Sequence, residues 1–129
     1  MSQGALGRIY QDGEVIVRQG DMGDGMFVIQ EGQVEILSEG DRGAMRIRVA
    51  GKDELVGEMA VFERAPRSAT MRALGEARVL TVDRKNFLRR INEDPSLAFR
   101  LVETMSHRVR ELSAEIVRLK TALRERGGE

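Results

Sequence analysis

The apolar residues of this chain change their period at Val82. From residue 8 to about 82 they form short alternations cut by turn residues: Val15 and Val17 before Gln19-Gly20-Asp21, Met26 to Ile29 before Glu31-Gly32, and Val34 to Leu37 before Glu39-Gly40-Asp41. Side chains on a strand alternate between faces. Met45, Ile47 and Val49 are therefore expected on one face and Arg46 and Arg48 on the other, which describes a half-buried strand. Ala69 to Ala73 and Arg78 to Val82 continue the pattern around Leu74-Gly75-Glu76. Short strands broken so often by glycine and aspartate predict an antiparallel barrel or a two-sheet jelly roll.

Beyond Val82 the period rises to that of a helix. Asp83 suits the cap of a short helix over 83–93, in which Phe87, Leu88 and Ile91 share a face. Asp94-Pro95 then restarts the chain, because proline fits the first turn of a new helix and aspartate its cap. A second helix is expected over 95–126, ending at Gly127-Gly128. The expected fold is thus mainly β with α, a single domain of 129 residues. It comprises an antiparallel β jelly-roll barrel over 8–82, then a short helix and a long C-terminal dimerisation helix.

The dimerisation expectation rests on spacing. Val102, Met105, Val109, Leu112, Ile116, Leu119 and Leu123 fall alternately three and four apart, which is the a/d seam of a coiled coil. Val109 and Ile116 at a, with Leu112 and Leu119 at d, favour a parallel two-stranded coil, and the register puts Glu115 at g and Lys120 at e, where they can pair between chains. A stripe of this kind can also dock on its own domain. Its narrowness and persistence over 102–123 favour a homodimer.

Several function classes are excluded by what the chain lacks. It has no cysteine and a single histidine, so thiolate and histidine-rich metal sites have too few ligands. That histidine, His107, falls at heptad position f and is expected to be solvated. Lysine and arginine (21) balance aspartate and glutamate (21), so no overall field draws in nucleic acid or an anionic membrane, and an anion site must be local. No stretch approaches the ~20 apolar residues of a membrane span, and the N-terminus lacks a signal pattern. The default expectation is a cytoplasmic protein. Gly20-Asp21-Met22-Gly23-Asp24-Gly25 lacks the spacing and terminal glutamate of a calcium-binding loop and is expected to be a hairpin turn.

One segment concentrates the chemistry. Within "ELVGEMAVFERAPRSATMRAL", residues 54–74, Glu58 and Arg67 interrupt sequence that is otherwise apolar enough for a core. They could form an ordinary ion pair, or they could meet a ligand that carries both hydroxyls and a negative charge. Phosphate on a ribose is such a ligand. Gly57 would let the backbone come close, a helical turn starting near Glu58-Met59-Ala60 would direct amides and a positive dipole end at an anion, and Arg67 would add a charge-assisted hydrogen bond. A carboxylate repels phosphate but accepts from a sugar hydroxyl, so Glu58 belongs on the ribose.

Gly57-Glu58-Met59-Ala60 followed by Pro66-Arg67-Ser68-Ala69-Thr70 resembles the phosphate-binding cassette, here 57–70, of cyclic-nucleotide-binding domains, with the Glu-to-Arg spacing of kinase regulatory subunits. Tyr10 to Ile16, Gln19-Gly20-Asp21 and Phe27-Val28-Ile29 through Gly32 are similar to the family's first strands and turns, and the arm after Asp83 resembles the B and C helices of its bacterial activators. The resemblance implies a cAMP receptor whose ligand-binding residues are Val56, Gly57, Glu58, Met59, Ala60, Arg67, Ser68, Ala69, Leu112 and Ser113. Glu58 would bind the ribose 2′-hydroxyl, and Arg67 and Ser68 the cyclic phosphate. Ser113 would reach the adenine across a dimer. Leu112 departs from the family's threonine, and Ser68 leaves cGMP admissible. The expected protein is a homodimeric regulatory module, not an enzyme, with no direct nucleic-acid contact and an unidentified effector. The alternatives are the sensory fragment of a larger transcription factor, channel or kinase, and a structural dimerisation domain that binds no nucleotide.

Overall fold

The computed structural model describes residues 6–127. Six strands make one antiparallel sheet: β1 (Arg8–Tyr10), β2 (Val15–Val17), β3 (Met26–Gly40), β4 (Gly43–Ala50), β5 (Leu55–Val56) and β6 (Thr70–Val82). The path runs β1-β6-β3-β4, with β2 added to β6 and β5 to β3. A single helical turn, α1 (Met59–Phe62), separates β5 from β6, and α2 (Arg84–Glu93) and α3 (Ser96–Gly127) follow. This is the antiparallel β architecture followed by a short and a long helix that the change of period predicts. Two compact units divide between Arg89 and Arg90.

The first unit is built on β3 and β6, which are longer than the alternation suggests. Glu31-Gly32 and Leu74-Gly75-Glu76 read as breaks, yet both strands run through them. Register shifts fall between Ile29 and Glu31 and between Glu31 and Gln33, so the extra residues are absorbed as bulges that interrupt the ladder without ending it. Gly32 has φ +80°, and a Cβ there would lie 2.3 Å from the carbonyl oxygen of Glu76. That glycine serves the close approach of two strands. Phe27, Ile29, Val34, Val56, Met71, Ala73 and Val79 form the heart of the core, and burial of such side chains stabilises by ~1.5–3 kcal/mol each.

Two further expectations are corrected. Strand β4 leaves Met45 and Ile47 exposed (72% and 57%), although the alternation assigned them to a buried face. It pairs only with β3, at the end of the path, and its Arg46 reaches the buried Glu35 on that neighbour. Residues 20–25 are no hairpin turn, because β2 and β3 do not pair with each other but each with β6. The loop instead runs beside residue 67, where Gly20 N–H donates to the Arg67 carbonyl and Arg67 N–H to the Asp21 carbonyl, each at 2.8 Å.

Asp83 caps α2 as its position predicts, with Oδ1 accepting from Asn86 N–H at 2.8 Å. Phe87 is buried, Ile91 half-buried, and Leu88 exposed, so the expected apolar face is narrower than its spacing implied. In the second unit, Leu97 and Leu101 are the buried residues of α3. The heptad residues Val102, Val109, Leu112, Ile116, Leu119 and Leu123 are all exposed in the single chain, while Met105 is half-buried. Glu115 pairs within its own helix with Arg118, one turn on, where the expected interchain partner was Lys120.

Candidate functional site

The site begins where the core ends. Val56 in β5, 1% exposed, lies opposite Phe27 in β3. The next residue, Gly57, has φ +74°, a conformation that L side chains rarely adopt, and turns the chain into α1. A Cβ at Gly57 would stand 3.1 Å from Cδ2 of Phe27 and 3.2 Å from Nη1 of Arg67. Glycine is therefore favoured twice, first by its backbone angle and second by the tight space beside Phe27 and Arg67. Glu58 follows with helical angles (φ −64°, ψ −23°) and is 4% exposed, which makes it a buried carboxylate. The turn itself uses the Ala60 and Val61 amides, which donate to the carbonyls of Gly57 (3.3 Å) and Glu58 (3.1 Å). Ala60 is buried and Met59 is half exposed (48%).

Arg67 comes to this turn from the other side. Its Nη1 donates to the Gly57 carbonyl at 3.3 Å, and Cζ lies 5.1 Å from the centroid of the Phe27 ring. Its Nε is buried and has no hydrogen-bond partner. Burial pushes the Arg67 pKa below its usual value, while the charges of Asp24 and Asp21 pull it upward. The result is a partly desolvated cation with an unused donor beside a glycine turn. An anion with lone pairs to offer satisfies both conditions, so the residues present fit a phosphate. Ser68, exposed, and Ala69, half-buried, continue the chain past the guanidinium toward β6.

Residues 8–94 match the cyclic nucleotide-binding domain family. The chain belongs to that family. Among its relatives is the cyclic AMP receptor protein of Thermus thermophilus, 30% identical over 84% of this chain and 51% of the relative. The crystal structure of the Thermus thermophilus catabolite activator protein superposes with a TM-score of 0.78 at 29% identity, over 88% of this chain and 54% of that one. The EAL enzyme Bd1971, 28% identical over 80% of this chain and 28% of its own, has been solved in cAMP-bound and cGMP-bound forms, with TM-scores of 0.61 and 0.63. The domain spans about half the length, or less, of these relatives.

The two segments that hold most of the expected ligand-binding residues, 56–60 and 67–69, meet through the Gly57 carbonyl and the Phe27 ring. Leu112 and Ser113 lie on α3, in the second unit, and both are exposed. His107 is exposed on the same helix, and no cluster of potential metal ligands occurs among the described residues.

Sequence reasoning missed the residues that frame Arg67: Phe27, Gly23, Asp21 and Asp24. The available signal was a loop with three glycines and two aspartates, more than a tight turn needs. It also missed Arg84, whose Nε donates to the Val61 carbonyl at 2.9 Å and whose Nη2 donates to that of Ala60 at 3.3 Å. Together with the edge-to-face contact of Phe62 and Phe87 (centroids 5.9 Å apart), Arg84 fastens the cassette turn to the start of α2.

Proposed function

We propose that this domain is a cyclic-nucleotide receptor, a cytoplasmic regulatory module that binds cAMP and carries the signal through its C-terminal helices. The observation that carries the reading is Arg67, a partly buried cation with an unpartnered Nε beside the positive-φ glycine turn. A cyclic phosphate is compact and singly charged, so it matches one guanidinium and a small turn without demanding a second cation. The buried Glu58 repels the phosphate and accepts from the ribose 2′-hydroxyl, which orients the ligand. Ser68 offers a hydroxyl and Ala69 an amide at the rim.

The proposed output is a change in the position of the helices. Arg84 and the Phe62–Phe87 contact support it, since a movement of the turn that holds the ligand is passed directly to the first turn of α2. In the proposed homodimer, the exposed stripe of α3 from Val102 to Leu123 is the seam between chains, and Ser113 of the facing helix reads the base. Leu112 covers the purine but reads no edge, so the preference for cAMP over cGMP is expected to be modest, within the ~0.5–1.5 kcal/mol of one hydrogen bond. The module works by binding, not catalysis, and makes no direct contact with nucleic acid.

The share of its relatives that the chain spans favours a second, compatible reading, in which this module is the sensory part of a larger transcription factor, channel or kinase. Titration calorimetry with cAMP, cGMP and 5′-AMP tests the receptor reading. Saturable binding of cAMP, somewhat weaker binding of cGMP and rejection of 5′-AMP, whose open phosphate is doubly charged, are expected. No heat with any of the three leaves a structural dimerisation domain.

A further inference from the structure

An arginine is a long, flexible side chain, and its usefulness to an anion depends on where its guanidinium is held before the anion arrives. At Arg67 the backbone is fixed by the two bonds to Gly20 and Asp21, but these do not orient the far end of the side chain. The Nη1 bond to the Gly57 carbonyl is long, at 3.3 Å. The firmest surface against the guanidinium is the ring of Phe27, 5.1 Å from Cζ to centroid, within the ~6 Å range of a cation–π contact. That ring is itself immobilised. Phe27 is 5% exposed, belongs to the core cluster, and is paired across the sheet with Val56 on one side and Thr81 on the other. Gly57 lets ring, turn and guanidinium sit close together, because a Cβ there would stand 3.1 Å from the Phe27 ring and 3.2 Å from Arg67 Nη1, so that its neighbours would have to give way.

We propose that Phe27 is a positioning residue for anion recognition, its ring face holding the Arg67 guanidinium at the glycine turn. The inference rests on the receptor reading and adds to it a residue that need not touch the ligand. An aromatic ring suits this task better than a carboxylate, because it attracts the cation without accepting a hydrogen bond from it. Nε is thus left buried and without a partner.

The test compares wild type with Phe27→Leu and Phe27→Met, which keep apolar bulk without a ring, and with Phe27→Tyr, which keeps the ring. In the empty protein, the Hε resonance of Arg67 is protected by burial and is expected upfield from the ring current. It should stay there in Phe27→Tyr and move in whichever non-aromatic variant folds. In calorimetry with cAMP, loss of the ring is expected to weaken binding about three- to tenfold, with Phe27→Tyr within about twofold of wild type. On an Arg67→Gln background the same loss should cost less than about twofold. An equal loss on both backgrounds, or an Arg67 resonance indifferent to the ring, means that Phe27 serves only the core, and overturns the inference while leaving the receptor reading intact. A wild type that binds no cAMP overturns both.

Discussion

Arg67 and Glu58 stand nine positions apart, the first partly buried and the second 4% exposed, and burying a charge is expensive unless hydrogen bonds or a counter-charge compensate it. Desolvation lowers the Arg67 pKa and the nearby Asp24 and Asp21 offset it, so the cation persists with little water to compete for its donors. Arg67→Leu is accordingly expected to weaken cAMP binding by ~1.5–3 kcal/mol, about ten- to a hundredfold, with the empty domain still folded. Glu58→Gln should cost less, because an acceptor remains. Calorimetry beside a melting curve separates the two effects, and an empty Arg67→Leu protein that unfolds would make the arginine a core residue. The glycines divide the same question. Gly57→Ala forces a side chain into φ +74° and against Phe27 and Arg67, so both stability (by ~1–2 kcal/mol) and affinity should fall. Gly23 lacks a positive φ, and the atoms nearest a Cβ there belong to the Arg67 guanidinium, with Nη2 at 3.0 Å. Gly23→Ala should therefore melt near wild type and still bind more weakly.

The strands hold a second carboxylate that sequence patterning did not anticipate. Glu35 on β3 is 6% exposed and lies between Arg46 on β4, whose Nη2 is 3.1 Å from Oε1, and Arg72 on β6, whose Nη2 is 2.7 Å from Oε2. The Arg72 hydrogen bond, followed by that of Arg46 and the charges of both, holds the Glu35 carboxyl below its ordinary 4.5 despite burial. A lowered folded value means that this stabilisation is complete above about pH 4.5 and is lost as pH falls through the folded pKa. Acid melting curves should therefore be flatter for Glu35→Gln than for wild type below pH 4.5, with the variant less stable by ~1–3 kcal/mol at neutral pH. The period of the apolar residues located the strands and both helices, because alternation and the helical repeat are local properties. It misplaced Met45 and Ile47, because β4 pairs only with β3 at the end of the path and is exposed on both faces over 43–47. It could not find Phe27's contact with Arg67 either, since forty residues separate them and long-range contacts, including the loop bonds of Arg67 to Gly20 and Asp21, bring them together. The glycine turn and the family were legible because the residues that carry them are contiguous in sequence. On α3 the proposed seam is checked by Ile116→Asp with Leu119→Asp, which would bury like charges between helices. Sedimentation should show a dimer for wild type and a monomer for the variant, and a wild-type monomer at high concentration would end the coiled-coil account.

The molecule as a whole carries no net charge, so the anion recognition we propose has to be generated locally. At the proposed site β3 and β5 supply Phe27 and Val56, Gly57 follows, the loop before β3 brackets Arg67, and Arg84 ties the turn to the start of α2. In the proposed mechanism one small ligand there would act on both the strands and the first turn of α2. A ligand that binds only the folded state at about a hundred times its dissociation constant adds ~2.7 kcal/mol of stability, readily seen as a higher melting temperature. The most direct test of the account is therefore the melting temperature of wild type and Arg67→Leu, each alone and with a common excess of cAMP or 5′-AMP. The account predicts a clear rise for wild type with cAMP, little or none with 5′-AMP, and a much reduced rise for Arg67→Leu with cAMP. A wild-type melting temperature unmoved by cAMP, or one raised as much in Arg67→Leu as in wild type, would contradict it.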